Sequence, residues 1–243
     1  MNKDNLQKQF VKDLNSYLSK NKEIINAVKA LEVVNYLTTQ SNSIFDYVYK
    51  WHSLEYPELY ASCSKDNSKY IKTILELESS KKDSIMSGSI GNDAIEAIKS
   101  LCNLFLDFEK NSNKLKKIIE KSAKVAYPNL STLLGPILAT KFISQVGSLE
   151  RLSKMPSSSL QLIGAESALF KHLKFGKKCP KYGFLYLHPI MQGLNNKQKG
   201  KLSRYFAGRI ELAVRADMYT KNKISEGLLK DIEKKKLEIK KTQ

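Results

Sequence analysis

Residues 92–130 read NDAIEAIKSLCNLFLDFEKNSNKLKKIIEKSAKVAYPNL. In this stretch Ile98, Leu101, Leu104, Phe108, Leu115 and Ile118 recur at steps of three, four and seven. That spacing predicts one long amphipathic helix from about 93 to 126. Asn92 or Asp93 can cap its start, with Glu96 close behind. Tyr127-Pro128-Asn129-Leu130 then breaks it and marks a domain boundary. Upstream, Ile71, Ile74, Leu75 and Leu77 predict a helix over about 66–84. Ser87, Gly88, Ser89, Gly91 and Asn92 make 85–92 a tight connection. Two such helices joined by a short turn suggest an antiparallel coiled-coil hairpin, long for its apolar width and so protruding.

The pattern stays helical on both sides. Ile24, Val28, Leu31, Val34, Leu37, Ile44, Val48 and Trp51 form a stripe on one or two helices within 21–56, ended by Pro57. Residues 130–147 read as one buried helix, followed by short helices and turns up to Ala168. Residues 174–185 read as a loop, with Gly176, Pro180 and Gly183. A basic helix covers 196–219, burying Leu202, Phe206, Ile210, Ala213 and Val214, and a charged helix covers 220–243. No strand alternation or internal repeat is visible, so the fold class is all-α.

The 243 residues carry 41 Lys and Arg against 24 Asp and Glu, a net charge of +17. Residues 1–150 hold 20 basic against 17 acidic side chains; residues 151–243 hold 21 against 7. The second part is therefore a candidate phosphate-binding surface, the alternative being a solvated basic face. No apolar run approaches 18 residues, which speaks against a membrane span, and the first residues show no secretory signal. Cys63, Cys102 and Cys179 are odd in number and far apart, and histidines are few. A reducing compartment is expected, without a metal, a cofactor or a disulfide framework.

Catalytic signatures are missing: there is no phosphate-cradling glycine loop, HExxH or GxSxG. His172 and His188 are read as one surface and one partly packed histidine rather than a catalytic pair. Basic residues instead alternate with aromatic and turn residues in GAESALFK (164–171), PKYG (180–183) and KGKLSR (199–204). Their lysines and arginines can contact phosphates, and Tyr182 or Phe170 can stack on a base or seal a protein contact. Gly200, between two lysines, allows close approach of backbone to a phosphate.

With these motifs in order and spacing, the sequence closely resembles the Nop family of ribonucleoprotein core proteins, above all the archaeal Nop protein of box C/D guide RNPs. The runs at 164–171, 180–183 and 199–204 carry the resemblance, with GSLERLSKMP at 147–156, Arg215-Ala216-Asp217, YPNL at 127–130 and WHSLEYPEL at 51–59. It covers about 22–240. It implies a helical stem (1–64), a self-associating coiled-coil hairpin (65–126), a globular Nop domain (127–220) and a basic C-terminal helix or tail (221–243). Homodimer contacts are expected at Ile74, Leu77, Leu101, Leu104, Phe108 and Leu115.

The implied function is non-enzymatic. A Nop domain binds a kink-turn guide RNA together with a ribosomal-protein-like kink-turn-binding protein, reading a composite surface. The assembly positions fibrillarin for guided 2′-O-methylation of rRNA or tRNA. Carried over by motif, Gly164, Ala165, Glu166, Ala168, Leu169 and Phe170 lie at the composite surface. Lys171, Lys181, Tyr182, Lys199, Lys201, Arg204 and Arg209 lie toward RNA. The implied compartment is the cytoplasm of an archaeon, or the nucleolus or nucleus of a eukaryote. Ser167 stands where the family usually has Lys, and Arg209 replaces a common Lys. Archaeal members usually carry an N-terminal α/β domain that docks fibrillarin. Only about 20 residues precede the match here, so that domain is expected to be lost, cut away or supplied by a separate chain. Two alternatives remain: a spliceosomal-type bridging protein, and a helical adaptor without an RNA role.

Overall fold

The computed structural model describes residues 11, 14–54, 56–80 and 91–241. Among them there is no strand. The chain divides into two compact units, Glu32–Lys116, and Met1–Leu31 with Lys117–Gln243. Two long helices, α1 (Lys22–His52) and α4 (Asn92–Ala126), supply residues to both. The long amphipathic reading holds for α4, and the stripe over 21–56 is a single helix. Of the expected connection at 85–92, residues 85–90 lie outside the described residues, as does the end of the preceding helix beyond Ser80.

The 32–116 unit contains α2 (Leu59–Ser62), α3 (Asn67–Ser80) and parts of α1 and α4. Its core joins Phe45 and Val48 of α1, Tyr70, Ile71 and Ile74 of α3, and Ile98, Cys102 and Phe105 of α4. Phe45 sits 5.5 Å from Tyr60 and 5.9 Å from Tyr70, centroid to centroid, an aromatic nest of favourable tilted contacts. The buried His52 accepts or donates through Nδ1 to the Tyr70 hydroxyl at 3.1 Å. The hairpin partners are thus packed by a third helix. Ile98 is buried as read, but beyond it the buried face of α4 lies one position from the stripe read in the sequence. Cys102 and Phe105 are inside, while Leu104 is 42% exposed and Ile118, in the other unit, 47%. Cysteine counts as a small apolar residue in a helix interior, which a stripe of Leu, Ile and Phe alone overlooks.

The other unit is a helical layer around α10 (Asn196–Arg215), which packs on α5 (Pro128–Leu134), α7 (Leu149–Lys154), α8 (Ser157–Leu162) and α11 (Ser225–Lys241). A reciprocal capping box starts α10: Gln198 N–H donates to Asn195 Oδ1 at 2.9 Å, and Asn195 N–H to Gln198 Oε1 at 3.1 Å. Leu202, Phe206, Ile210, Ala213 and Val214 then bury one face, as the spacing predicts. They meet Leu130 and Leu133 of α5, Phe142 and Ile143 of α6 (Pro136–Val146), Leu152, Leu160 and Ile232.

Three readings of this unit need correction. Residues 130–147 are two helices, because Gly135 takes φ +80° and Pro136 brings no N–H donor. The loop read at 174–185 begins only after α9 (Glu166–Phe175) and leads into 3₁₀ turns at Phe184–Leu187 and Pro189–Met191. The last helix starts at Ser225, after a π-helical turn at Ala216–Thr220.

Candidate nucleic-acid interface

The motif residues sort into two environments. Asn129 and Asp217 meet in the interior, 1% and 2% exposed. The Asp217 carboxylate accepts the backbone N–H groups of Asn129 (2.9 Å) and Leu130 (2.8 Å) and the Asn129 side-chain amide (2.8 Å). It thereby caps the start of α5, where unpaired N–H groups and the helix dipole favour an anion. Asn129 also donates to the Asn222 carbonyl at 2.8 Å. Its Oδ1 accepts the N–H groups of Ile224 and Ser225 at the start of α11. Burial raises the Asp217 carboxyl above its ordinary value, and the three N–H donors with nearby Lys221 pull it part of the way back. Asn129 and Asp217, of the YPNL and RAD motifs, therefore hold α5, the π-helical turn and the start of α11 together.

The cations behave differently. Lys181, Lys197, Lys201 and Arg204 line one open groove of about 620 Å³ between α8, the 179–181 loop and α10. Ser158, Gln161, Leu162, Cys179, Pro180 and Gly200 complete its wall, and no carboxylate lines it. On α10, positions 197, 200, 201 and 204 share a face, which explains the convergence. None of the four cations is in an ion pair among the described residues. An unneutralised cluster of this kind attracts a polyanion.

Two glycines fix the loop that carries Lys181. A Cβ on Gly183 would collide with the Ile163 carbonyl, and one on Gly164, at φ +85°, with the Phe184 ring. This close approach lets Gly183 N–H donate to Gln161 O at 3.0 Å and Phe184 N–H to Ile163 O at 2.7 Å. The Gln161 amide donates to the Lys181 carbonyl at 2.5 Å. Gly200 serves a packing purpose rather than an open approach to phosphate: the Lys181 stem fills the space, 3.2 Å from where a Cβ would stand.

From the groove wall the chain turns through Gly164 into α9. Glu166 Oε1 accepts the Gly164 N–H at 2.9 Å and steadies the turn. This helix buries none of its residues. Ala165 and Leu169 are half-buried, Ala168 and Lys171 are exposed, and Phe170 and Leu173 are 60% and 75% exposed. Exposed apolar surface gathered on one helix marks it as a candidate contact face.

The remaining site residues separate. Tyr182 stacks on Tyr186, centroids 5.5 Å apart and planes at 13°, and Lys199 Nζ lies 4.8 Å from the Tyr186 centroid. Arg209 turns inward: its guanidinium donates to Tyr205 Oη at 2.7 Å and pairs with Asp231 of α11 at 3.4 Å. Lys197 and Tyr186 belong to the region although the sequence motifs did not include them. Helix register from Lys201 and Arg204 points to Lys197; Tyr186 lies in a 3₁₀ turn with no sequence signal. His172 and His188 both serve backbone groups. The ring of His172 bonds the Lys177 carbonyl, and His188 Nδ1 accepts the Ile190 N–H at 3.2 Å.

In the other unit, Ile74 is fully buried, Leu77, Leu101 and Phe108 are half-buried and Leu104 is exposed; Leu115 is half-buried too. Trp51, of the WHSLEYPEL stretch, lines an apolar surface groove with Ile44, Tyr47, Leu54 and Leu101. Among the described residues no cluster of metal-ligating side chains occurs, and no helix is long and apolar enough to cross a membrane.

An all-helical protein with an unneutralised basic groove beside an exposed apolar helix has the features of a polyanion-binding module. The Nop family model, described as snoRNA binding domain, fibrillarin, matches residues 33–238, and the chain belongs to that family. An uncharacterized NOP5 family protein of Methanocaldococcus jannaschii is 30% identical over 94% of this chain and 59% of its own length. Nucleolar protein 58 of Aspergillus oryzae is 31% identical over 78% of this chain and 36% of its own. The chain thus spans about three fifths of the archaeal relative and about a third of the fungal one. A chain in the crystal structure of a fibrillarin/Nop5p complex shares the fold, with a TM-score of 0.50 over 96% of this chain and 80% of that one, at 19% identity.

Proposed function

We propose that this Nop-family protein is a non-catalytic scaffold of a box C/D guide RNP. It binds a kink-turn RNA already held by a ribosomal-protein-like kink-turn-binding protein. The convergence of Lys181, Lys197, Lys201 and Arg204 in one groove without a carboxylate is the observation that carries this reading. In the proposal these cations take RNA phosphates, with Lys171 on α9 and Lys199 beside them. Helix α9, with Gly164, Ala165, Glu166, Ala168, Leu169 and Phe170, faces the joint between RNA and protein. Its exposed apolar surface suits a partner that is part protein. Arg209, committed to Tyr205 and Asp231, contributes by holding α10 to α11.

The proposal divides the chain by role into stem (1–64), hairpin (65–126), Nop domain (127–220) and basic tail (221–243). The hairpin is assigned to self-association. Of the residues put forward for it, Leu104 offers the most surface and Ile74 none. Fibrillarin is the proposed methyl-transferring partner, acting in guided 2′-O-methylation of rRNA or tRNA. The proposed compartment is the cytoplasm in an archaeon and the nucleolus in a eukaryote.

A gel shift with kink-turn RNA, with and without its kink-turn-binding protein, tests the composite surface. The expected result is weak binding to bare RNA and a discrete supershift on the RNA–protein complex. Strong binding to bare RNA, unchanged by that protein, overturns it.

A further inference from the structure

The Tyr182–Tyr186 pair lies at the rim of the basic groove, and its surroundings place it there in three ways. Lys181, the residue before Tyr182, lines the groove. Asn196, the residue before the groove's Lys197, accepts the Tyr182 hydroxyl at 3.4 Å. Lys199, beside Gly200 of the groove wall, lies against the Tyr186 ring at 4.8 Å. On α10, residues 196 and 199 form the face next to the one carrying 197, 200, 201 and 204. A phosphate path and a flat aromatic surface therefore run side by side on one helix.

The rings are built as a platform rather than as core. Tyr186 is 52% exposed, and its near-parallel stack on Tyr182 holds it flat. Lys199 rests against the ring, the position an incoming base can take while the ammonium moves to a phosphate. A base inside a duplex keeps its faces on its neighbours and offers none to a protein ring, whereas an unpaired base offers its face.

We propose that Tyr182 and Tyr186, with Lys199, form a stacking subsite for one unpaired nucleotide whose flanking phosphates run into the Lys181–Lys197–Lys201–Arg204 groove. The inference rests on the RNA-binding reading above and adds the class of RNA segment that the site selects: single-stranded, read by its base face and not by its sequence. The hydroxyl groups are dispensable for stacking and the rings are not.

The test uses the full chain with two probes, a ten-nucleotide oligouridylate carrying one 2-aminopurine and a ten-base-pair RNA duplex. The expected result is quenching of 2-aminopurine on binding the wild-type protein. Tyr186→Ala should weaken oligouridylate binding by about tenfold, the size of one lost aromatic–base stack. Its duplex affinity and salt slope should be unchanged, and Tyr186→Phe should restore wild-type behaviour. Lys201→Ala with Arg204→Ala should weaken both probes and flatten both salt slopes. If Tyr186→Ala weakens both probes equally, or neither, or if 2-aminopurine is not quenched, the subsite is refuted while the groove stands. If neither probe binds the wild-type protein, the subsite is refuted; the RNA-binding reading falls only if the kink-turn RNA–protein complex also gives no supershift.

Discussion

The Asn129–Asp217 knot and the basic groove are both made of motif residues, yet they are opposite in chemistry. In the knot the carboxylate of Asp217 has three N–H donors, Asn129 joins two helix starts, and water is excluded. In the groove four cations face solvent without a countercharge. A buried charge persists only when its partners are supplied from within; an exposed cluster left without partners expects them from outside. Membership in a motif therefore does not tell which role a residue has. Burial and the state of its hydrogen bonds do.

Substitutions should separate the two regions. The largest effect is expected in the knot: Asp217→Ala leaves three buried donors without their acceptor and should cost about 3 kcal/mol, read from urea unfolding. RNA affinity of the protein that remains folded should be unchanged. A variant with wild-type stability would mean that the knot is not structural. In the groove the pattern reverses. Lys201→Glu should weaken RNA binding by about tenfold and shift stability by less than about 0.5 kcal/mol.

A milder effect is expected at Cys179, which lines the groove and is exposed, whereas Cys63 and Cys102 are buried. Saturating RNA should slow alkylation of Cys179 several-fold, followed by mass spectrometry, and leave the other two as they were. Equal labelling with and without RNA would place the RNA elsewhere.

The smallest effect concerns His188. Burial lowers its imidazole below the ordinary value, opposed by a bond to the Leu133 carbonyl and reinforced by Lys236. The neutral ring accepts the Ile190 N–H and lies edge-on to Phe206 at 5.1 Å. An unfolded histidine titrates near about 6.5, so the fold favours the neutral form. Its contribution is present above about pH 6.5 and lost as pH falls through the lower, folded-state value. Melting temperature should drop between pH 7.5 and 5.5 by more in the wild type than in His188→Gln. An equal drop would remove His188 from the pH dependence.

Much of this is legible in the sequence alone. Helices α1 and α4, the apolar face of α10 and the crowding of charge after residue 150 follow from periodicity and counting. The lysines at 181 and 201 and Arg204 stood out by their motifs. Other features depend on three-dimensional meetings that periodicity does not carry. Asn129 and Asp217 are 88 residues apart, and only the fold brings them together. Arg209 looks like Arg204 in the sequence, but five residues further on, about 140° round the helix, it faces Tyr205 and Asp231. On α4, the shift of the buried face to Cys102 and Phe105 was set by packing against α1 and α3. Tyr186 became visible only through its stack on Tyr182.

The salt dependence of RNA binding tests the groove most directly. Plotting log Kd against log salt concentration for the wild type and for Lys201→Ala with Arg204→Ala compares the number of phosphates each engages. Two lost contacts should make the slope shallower by about 1.5, with unfolding midpoints unchanged. An identical slope in the two proteins would contradict the assignment of this groove to phosphate binding.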